Sequence, residues 1–340
     1  MAPSATFPDH DNAPDHNDAT IMSLRKTLKS EDAALAARFR ALFSLKHLAC
    51  QNPETPQTIP AIDAIASALS SPSELLKHEL AYCLGQSRNQ HAIPHLRNAL
   101  EDMEQAPICR HEAAEALGAL GDKNSLQLLK ERRDDKNEVE VVRETCEIAV
   151  ERIEWEHSEK RSQEKIKQSD FSSIDPAPPM PQAADKPSIP ELEATLLDTK
   201  LSLFLRYRAM FALRDLASPP DLSTAVPAVH ALARGFDDPS ALFRHEIAFV
   251  FGQLSHPASI PSLTKCLGNL KEDGMVRHEA AEALGSLGEE KGVEETLKSF
   301  IDDPERVVRE SIVVALDMAE YERNGEMEYA TVMSSAPVAA

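Results

Sequence analysis

The sequence predicts an all-α protein, an α-α superhelix of helical hairpins in two pseudo-symmetric halves of four repeats each. Three observations predict this fold class. The 340 residues include only 5% aromatic residues and 11 Gly, a composition that favours helices over strands. The chain repeats itself at one long and one short period. Within each short repeat, apolar residues recur at helical spacing.

The long period separates two nearly identical segments. The segment RHEAAEALGALG begins at Arg110, and RHEAAEALGSLG begins at Arg277. The segments KHELAYCLGQ from Lys77 and RHEIAFVFGQL from Arg244 are separated by the same distance along the chain. The offset therefore belongs to whole halves of the chain rather than to one motif.

The short period predicts two helices in each repeat unit. The step from His78 to His111 equals the step from His245 to His278. A second amphipathic run precedes the motif helix, as at 93–100 and 260–270, and a Gly such as Gly118 is expected to end the motif helix. Such units bury their apolar faces against their neighbours, and the pattern resembles HEAT repeats.

The predicted halves occupy residues 21–154 and 191–324. Between them, residues 155–190 are polar and carry six Pro in their second part, so we expect a flexible tether that joins the two halves. Residues 1–20 and 325–340 are expected to be disordered tails.

Charge and cysteine content exclude several classes of protein. The net charge of −20 argues against nucleic acid as a partner and favours a basic protein segment. The five Cys include no CxxC pair, so neither a disulfide framework nor a thiolate zinc site is predicted. No secretory signal and no apolar run of about 18 residues is present. We therefore expect a soluble protein with no membrane partner.

Four His-Glu dipeptides are the candidate functional residues. A chain with 12 His and 34 Glu is expected to contain about 1.2 such pairs by chance, yet all four lie in the repeat frame. In the neighbouring units the corresponding positions hold Ala or Glu, so the repeat fold does not itself require His. The pairs are His78-Glu79, His111-Glu112, His245-Glu246 and His278-Glu279, and the residues in the neighbouring units are Ala41, Glu144, Ala209 and Glu310.

Imidazoles and carboxylates without thiolates are typical ligands of iron, manganese or zinc. Eight such side chains suit two ions. Because adjacent helices pack about 8–10 Å apart, His78 and His111 can share one ion, and His245 and His278 can share the other. Two such ions can activate dioxygen or a hydrolytic water, and the residues alone leave both chemistries open.

Two four-unit HEAT halves with four His-Glu pairs at these spacings resemble the deoxyhypusine hydroxylase family, over both repeat halves and without the tails and the tether. The resemblance implies a monooxygenase with two Fe²⁺ ions per chain. Dioxygen would be the co-substrate, and the substrate would be the deoxyhypusine side chain of translation initiation factor 5A. The implied iron ligands are His78, His111, Glu112, His245, His278 and Glu279.

The resemblance also implies substrate-binding residues. Glu79 and Glu246 are implied as catalytic groups that hold the substrate and also approach the irons as metal ligands. Gly85 and Gly252 are implied substrate contacts, with a helix C-cap as the structural alternative. Met275 is implied to lie near the site, with apolar packing as the alternative because its counterpart in the other half is Ile.

Several alternatives stay open. A HEAT scaffold without enzymatic activity, a protein similar to phycobilin lyases and a two-metal hydrolase are the competing functions. Glu115 and Glu282, one helical turn after His111 and His278, are either supporting partners of the metal ligands or solvated side chains. We expect a monomer that is located in the cytoplasm and also in the nucleus.

Overall fold

The computed structural model of the chain describes residues 18–166, 170–181 and 187–323, within which it forms 17 α-helices. Sixteen of them form eight hairpins, four in each half, as predicted. The first helices of the hairpins are α1 (Ala19–Lys29), α3 (Thr58–Ala66), α5 (Ile93–Glu101), α7 (Leu126–Asp134), α10 (Ile189–Leu197), α12 (Ala225–Ala233), α14 (Ile260–Leu267) and α16 (Val293–Ser299). The second helices are α2 (Leu35–Ala49), α4 (Glu74–Gln86), α6 (Pro107–Ala119), α8 (Glu140–Glu156), α11 (Leu203–Leu216), α13 (Ala241–Leu254), α15 (Gly274–Gly285) and α17 (Arg306–Arg323). The remaining helix, α9 (Glu159–Gln163), follows α8.

The first helix begins inside the segment predicted as a tail at residues 1–20. Asp18 caps α1, because its Oδ1 accepts hydrogen bonds from the backbone N–H groups of Thr20 at 2.8 Å and Ile21 at 3.2 Å. Residues 1–17 and the predicted tail at 325–340 lie outside the described residues.

An Arg near the start of the second helix joins the two helices of five hairpins. Its Nε donates a hydrogen bond to the backbone carbonyl ten residues earlier, at the end of the first helix. Carbonyls at a helix C-terminus have no partner within the helix, so this contact stabilises the end of the first helix. The residues are Arg38, Arg110, Arg143, Arg206 and Arg277.

This Arg defines the register between units and corrects one part of the sequence comparison. In the first unit of each half, the residue that follows the Arg is Phe39 or Tyr207. The predicted counterparts of the His positions, Ala41 and Ala209, are therefore displaced by two residues. The sequence spacing between the first and second units is longer than the spacing between the second and third units. The Arg contact identifies the equivalent positions and therefore the length of this spacing.

The Gly that closes each His-Glu motif lies inside its helix, so the predicted C-cap role is wrong. A Cβ atom at Gly85 would lie 2.7 Å from the Cβ of Ala116, and one at Gly118 would lie 2.9 Å from the Cα of Ala149. Glycine at these two positions lets α4 pack closely against α6, and α6 against α8.

The second helices form the inner wall of a closed ring. Helix α17 contacts α2 and α4, and α8 contacts α11 and α13. Each junction contains the same hydrogen bond: Ser73 Oγ donates to Glu310 at 2.7 Å, and Ser240 Oγ donates to Glu144 at 2.8 Å. The two serines are the N-caps of α4 and α13. The closed ring therefore holds in place the helices that carry the first His-Glu pair of each half.

The structure differs from the expectation of a flexible tether. Residues 170–181, which we call the linker strap, pack against the C-terminal half. Both oxygens of Asp175 accept hydrogen bonds from Arg214 at 2.8 Å, and Arg208 donates to the carbonyl of Pro178 at 3.3 Å. Ala177 is fully buried. The polar, Pro-rich composition did not indicate these contacts, because the residues that the segment contacts are distant in the sequence.

Among the helices that the structure describes, none is both long and apolar enough to cross a lipid bilayer.

Candidate metal centre

The four predicted His side chains meet at the centre of the ring. His78 and His111 project from the second turns of α4 and α6, and His245 and His278 project from the equivalent turns of α13 and α15. Ring centroids are 5.3 Å apart for His78–His111 and 5.5 Å apart for His245–His278. Across the two halves, the centroids of His78 and His245 are 5.9 Å apart. All four imidazoles are buried.

Each half brings a carboxylate to its imidazoles in the same way. Nε2 of His78 lies 3.3 Å from Oε2 of Glu112, and Nε2 of His245 lies 3.4 Å from Oε2 of Glu279. The structure thereby defines two half-sites with the same composition. The N-terminal half-site contains His78, His111 and Glu112, and the C-terminal half-site contains His245, His278 and Glu279.

The imidazole nitrogens fit metal ions because most of them lack any other partner. In the described part of the chain, both ring nitrogens of His78, His111 and His245, and Nε2 of His278, are buried without a hydrogen bond. A buried polar atom without a partner costs about 1–3 kcal/mol, so seven together are exceptional in a folded protein. Ligand atoms of His245, His278 and Glu279 lie within 4.8 Å of one another, as do those of His78, His111 and His245.

Burial keeps three of the four imidazoles in the neutral form that binds metals. Burial, reinforced by the neighbouring imidazoles, lowers the pKa of His111 and of His278 well below the ordinary value. Burial and the nearby His78 lower the pKa of His245 to about 3. At neutral pH these side chains therefore offer lone pairs rather than positive charge.

The four carboxylates of the pairs lie in surroundings that favour a bound cation. Burial, reinforced by the negative charge of Glu282, raises the pKa of Glu79 to about 7 and that of Glu279 to about 8. Burial also raises the pKa of Glu112 and of Glu246 well above the usual range. A cation at the centre of the ring would favour their ionised forms.

Glu282 supports the second half-site, and Glu115 lies beside the first. Oε1 of Glu282 lies 3.5 Å from Nδ1 of His278 and accepts a hydrogen bond from Ser311 at 2.9 Å. Oγ of Ser311 also lies 3.5 Å from Nδ1 of His278, so Ser311 and Glu282 lie together beside this nitrogen, as expected of supporting partners. Ligand atoms of Glu115 lie within 4.8 Å of those of His111 and Glu112.

The sequence did not single out an aromatic pair that crosses between the halves. Tyr82 and Phe249, one turn after Glu79 and Glu246, have ring centroids 6.0 Å apart. Because the His78–His245 separation one turn earlier is nearly the same, α4 and α13 run side by side in one direction. The aromatic pair therefore covers what we call the carboxyl end of the metal centre, the end at which these helices finish.

The linker strap crosses this carboxyl end. Gln86 accepts a hydrogen bond from the backbone N–H of Ile174 at 2.8 Å and donates one to its carbonyl at 3.2 Å. Its counterpart Gln253 donates to Ser173 at 2.8 Å. The only sequence signal for this contact is the Gln shared by the two long-period copies. Both halves therefore hold the same short segment of the chain.

The three residues implied only by the resemblance lie close to the pairs in the sequence but have packing roles of their own. Gly85 and Gly252 occupy the last turns of α4 and α13, where Gly85 packs against α6. Met275 is buried at the start of α15, in the same apolar cluster as Ile108. Their substrate contacts stay a prediction.

The fold and the site define a helical-repeat protein with two related half-sites whose His and Glu side chains could hold metal ions. The HEAT-repeat family model matches residues 62–151 and 226–317. The chain is 71% identical to the deoxyhypusine hydroxylase of Phaeosphaeria nodorum, over 95% of this chain and 98% of that protein. It is 67% identical to the deoxyhypusine hydroxylase of Aspergillus clavatus over the full length of both. The chain belongs to the deoxyhypusine hydroxylase family and is an oxidoreductase.

A solved structure agrees with this assignment. The structure of human deoxyhypusine hydroxylase in complex with glycerol matches with a TM-score of 0.78 and 44% identity. The match covers 89% of this chain and 96% of the human chain. The fold class and the family predicted from the sequence are confirmed.

Proposed function

We propose that this protein hydroxylates the deoxyhypusine side chain of translation initiation factor 5A, with two Fe²⁺ ions per chain and dioxygen as co-substrate. The observation that carries the proposal is the set of seven buried imidazole nitrogens that make no hydrogen bond within the described part of the chain, arranged in two equivalent half-sites. Family membership supports the hydroxylation. The candidate ligands are imidazoles and carboxylates only, a set that favours iron over a structural zinc site bound by Cys.

The two half-sites would hold one ion each. His78, His111 and Glu112 would bind the first, and their counterparts in the C-terminal half would bind the second. When bound, the two ferrous ions would supply two electrons that, with two protons, reduce dioxygen, so that one oxygen atom enters the substrate and the other leaves as water. An external reductant would then return both ions to the ferrous state. The closed ring of second helices holds the six ligands in place before substrate arrives.

Glu79 and Glu246 are the residues that we assign to the substrate. Neither belongs to a half-site, both are buried, and Oε1 of Glu246 has no hydrogen-bond partner among the described residues. Deoxyhypusine carries an aminobutyl extension on a Lys, so its ammonium groups would pair with these carboxylates. Such pairing would orient one carbon of the arm toward the metal centre.

The protein also limits the access of water to the reaction. Tyr82 and Phe249 cover the carboxyl end, and the linker strap lies beyond them. Excluding water strengthens the attraction between the two buried carboxylates and the substrate ammonium groups, and it suppresses side reactions of the oxidant.

The first test is an assay of the iron-loaded enzyme with deoxyhypusine-bearing factor 5A under isotopically heavy dioxygen. We expect one heavy oxygen atom in the product and no reaction without dioxygen. Equal activity without dioxygen would contradict the hydroxylase and favour the hydrolytic alternative. A folded protein that needs no metal for its function would favour the scaffold.

The second test concerns the substrate carboxylates. Glu79→Ala and Glu246→Ala are expected to keep their iron and lose substrate binding and turnover, while the exposed Glu104→Ala serves as the control. Normal binding and turnover in the two variants would refute their assignment to the substrate.

The remaining parts of the proposal are that the protein acts as a monomer in the cytoplasm, with the nucleus as a second location. The net charge of −20 supports attraction of a basic substrate loop without a nucleic-acid partner. Light scattering at assay concentrations tests the monomer, and fractionation of cells that express the tagged protein tests the location.

A further inference from the structure

We propose that Asp63, His91 and His95 form a binding site for one zinc-type divalent cation on the outer surface of the N-terminal half. This site is separate from the metal centre inside the ring. Asp63 lies in α3, His91 lies in the turn before α5, and His95 lies in the first turn of α5. The three side chains thus come from two successive hairpins.

The three side chains converge on one point. Oδ1 of Asp63 lies 2.8 Å from Nε2 of His91 and 3.8 Å from Nε2 of His95. The two imidazole centroids are 6.1 Å apart, and one ligand atom from each residue lies within 4.8 Å of the other two. His91 and His95 are four residues apart, which places them on one face of a helical turn.

Two imidazole nitrogens and one carboxylate oxygen are a typical ligand set for zinc. The side chains are 36–42% exposed, so water can complete the coordination. The overall charge of −20 raises the local concentration of cations around the protein.

The C-terminal half provides an internal comparison. At the long-period offset, the positions equivalent to Asp63, His91 and His95 hold His230, Ala258 and Ser262. The equivalent surface therefore lacks two of the three ligands. The repeat fold forms without the cluster in the C-terminal half, so these side chains are not required to build a hairpin.

A bound cation would join α3 to α5, and so would link the hairpin of α3 and α4 to the hairpin that follows it. Helix α4 carries His78 and Glu79, so the cation would restrain the helix α3 that packs against α4. We expect zinc to stabilise the folded chain, because a ligand that binds only the native state lowers the population of the unfolded state. The inner metal centre and its activity are not required for this effect.

The test is a zinc titration of the iron-loaded enzyme, with zinc and iron contents measured after removal of unbound metal. The wild type is expected to retain one zinc per chain, to keep its iron, and to unfold at a higher temperature when zinc is present. The double variant His91→Ala/His95→Ala is expected to retain its iron and hydroxylation activity but no zinc. His230→Ala is the matched control and should behave as the wild type.

Two outcomes would overturn the proposal. One is equal zinc retention by the wild type and by the double variant, which would place the zinc elsewhere. The other is no retained zinc in the wild type, together with an unchanged unfolding temperature. Both readouts are independent of hydroxylation, so the proposal can fail while the proposed function stands.

Discussion

The N-terminal and C-terminal halves have the same inner residues and different surroundings. The imidazole–carboxylate contact is 3.3 Å between His78 and Glu112 and 3.4 Å between His245 and Glu279. The outer surfaces and the supports of the ring differ between the halves. The two halves therefore share the imidazole and carboxylate groups of the candidate metal centre and differ in the packing and tertiary contacts around it.

The carboxyl end shows the clearest divergence. Arg214 of the C-terminal half is fully buried and holds Asp175 of the linker strap. At the equivalent place in the N-terminal half, Nζ of Lys46 lies 4.4 Å from the ring centroid of Tyr82. The strap therefore makes a symmetric site asymmetric at one end, and the two halves present different groups to a substrate there.

The largest expected effect comes from removing equivalent ligands. His78→Ala and His245→Ala should each abolish hydroxylation and lower the iron content, because each removes a ligand from one half-site. Iron analysis and the product assay measure both. Full activity in either variant would show that the halves are not functionally equivalent.

The next effect concerns the strap. Asp175→Asn removes one of the two carboxylates that pair with the buried Arg214, the other being Asp215, and is expected to lower the free energy of unfolding by about 1–3 kcal/mol. The lone Trp155, which packs in the same apolar cluster as Ala177 of the strap, should show a red-shifted fluorescence if the strap is released. Asp215→Asn is the matched control, because it leaves the strap contact in place. Equal effects of the two variants would mean that the strap contributes nothing specific.

A smaller effect separates the two motif glycines. In Gly85→Ala the new methyl group would overlap Ala116, which should destabilise the protein by about 1–3 kcal/mol. In Gly252→Ala the nearest atom is 3.5 Å away, so the higher helix propensity of Ala should stabilise the protein by up to about 1 kcal/mol. Chemical denaturation measures both. A raised KM in a stable Gly252→Ala would support the substrate contact implied for this residue.

The last prediction is a pH dependence at one junction of the ring. Burial raises the pKa of Glu144 from 4.5 to about 7, although the hydrogen bond from Ser240 favours ionisation. Because the pKa in the folded state is the higher one, the stabilising contribution is complete below pH 4.5 and is lost as the pH rises through about 7. Glu144→Gln should remove this part of the pH dependence in denaturation midpoints. Ser240→Ala should shift the loss of stability to higher pH, because the hydrogen bond from Ser240 lowers the pKa of Glu144. If the pH dependence of stability is unchanged in both variants, Glu144 is not the group that causes it.

The sequence predicts the helical repeats and the eight His-Glu residues because both depend on local spacing. Phe39 and Tyr207 were missed as the equivalents of His because the first units are spaced differently from the others. The strap was missed because its contacts, such as Gln86 with Ile174, join residues 88 positions apart. The packing role of Gly85 was also missed, because close helix packing and a helix C-cap both favour Gly and cannot be distinguished from the sequence.

We propose that the two equivalent half-sites hold two iron ions. The most direct test is the metal content, by plasma mass spectrometry, of protein purified in air without chelator. We expect close to two irons per chain. Manganese in place of iron, or zinc in place of iron beyond the one ion proposed for the outer site, would contradict it. A folded protein that takes up no iron after reconstitution with ferrous iron would contradict it as well.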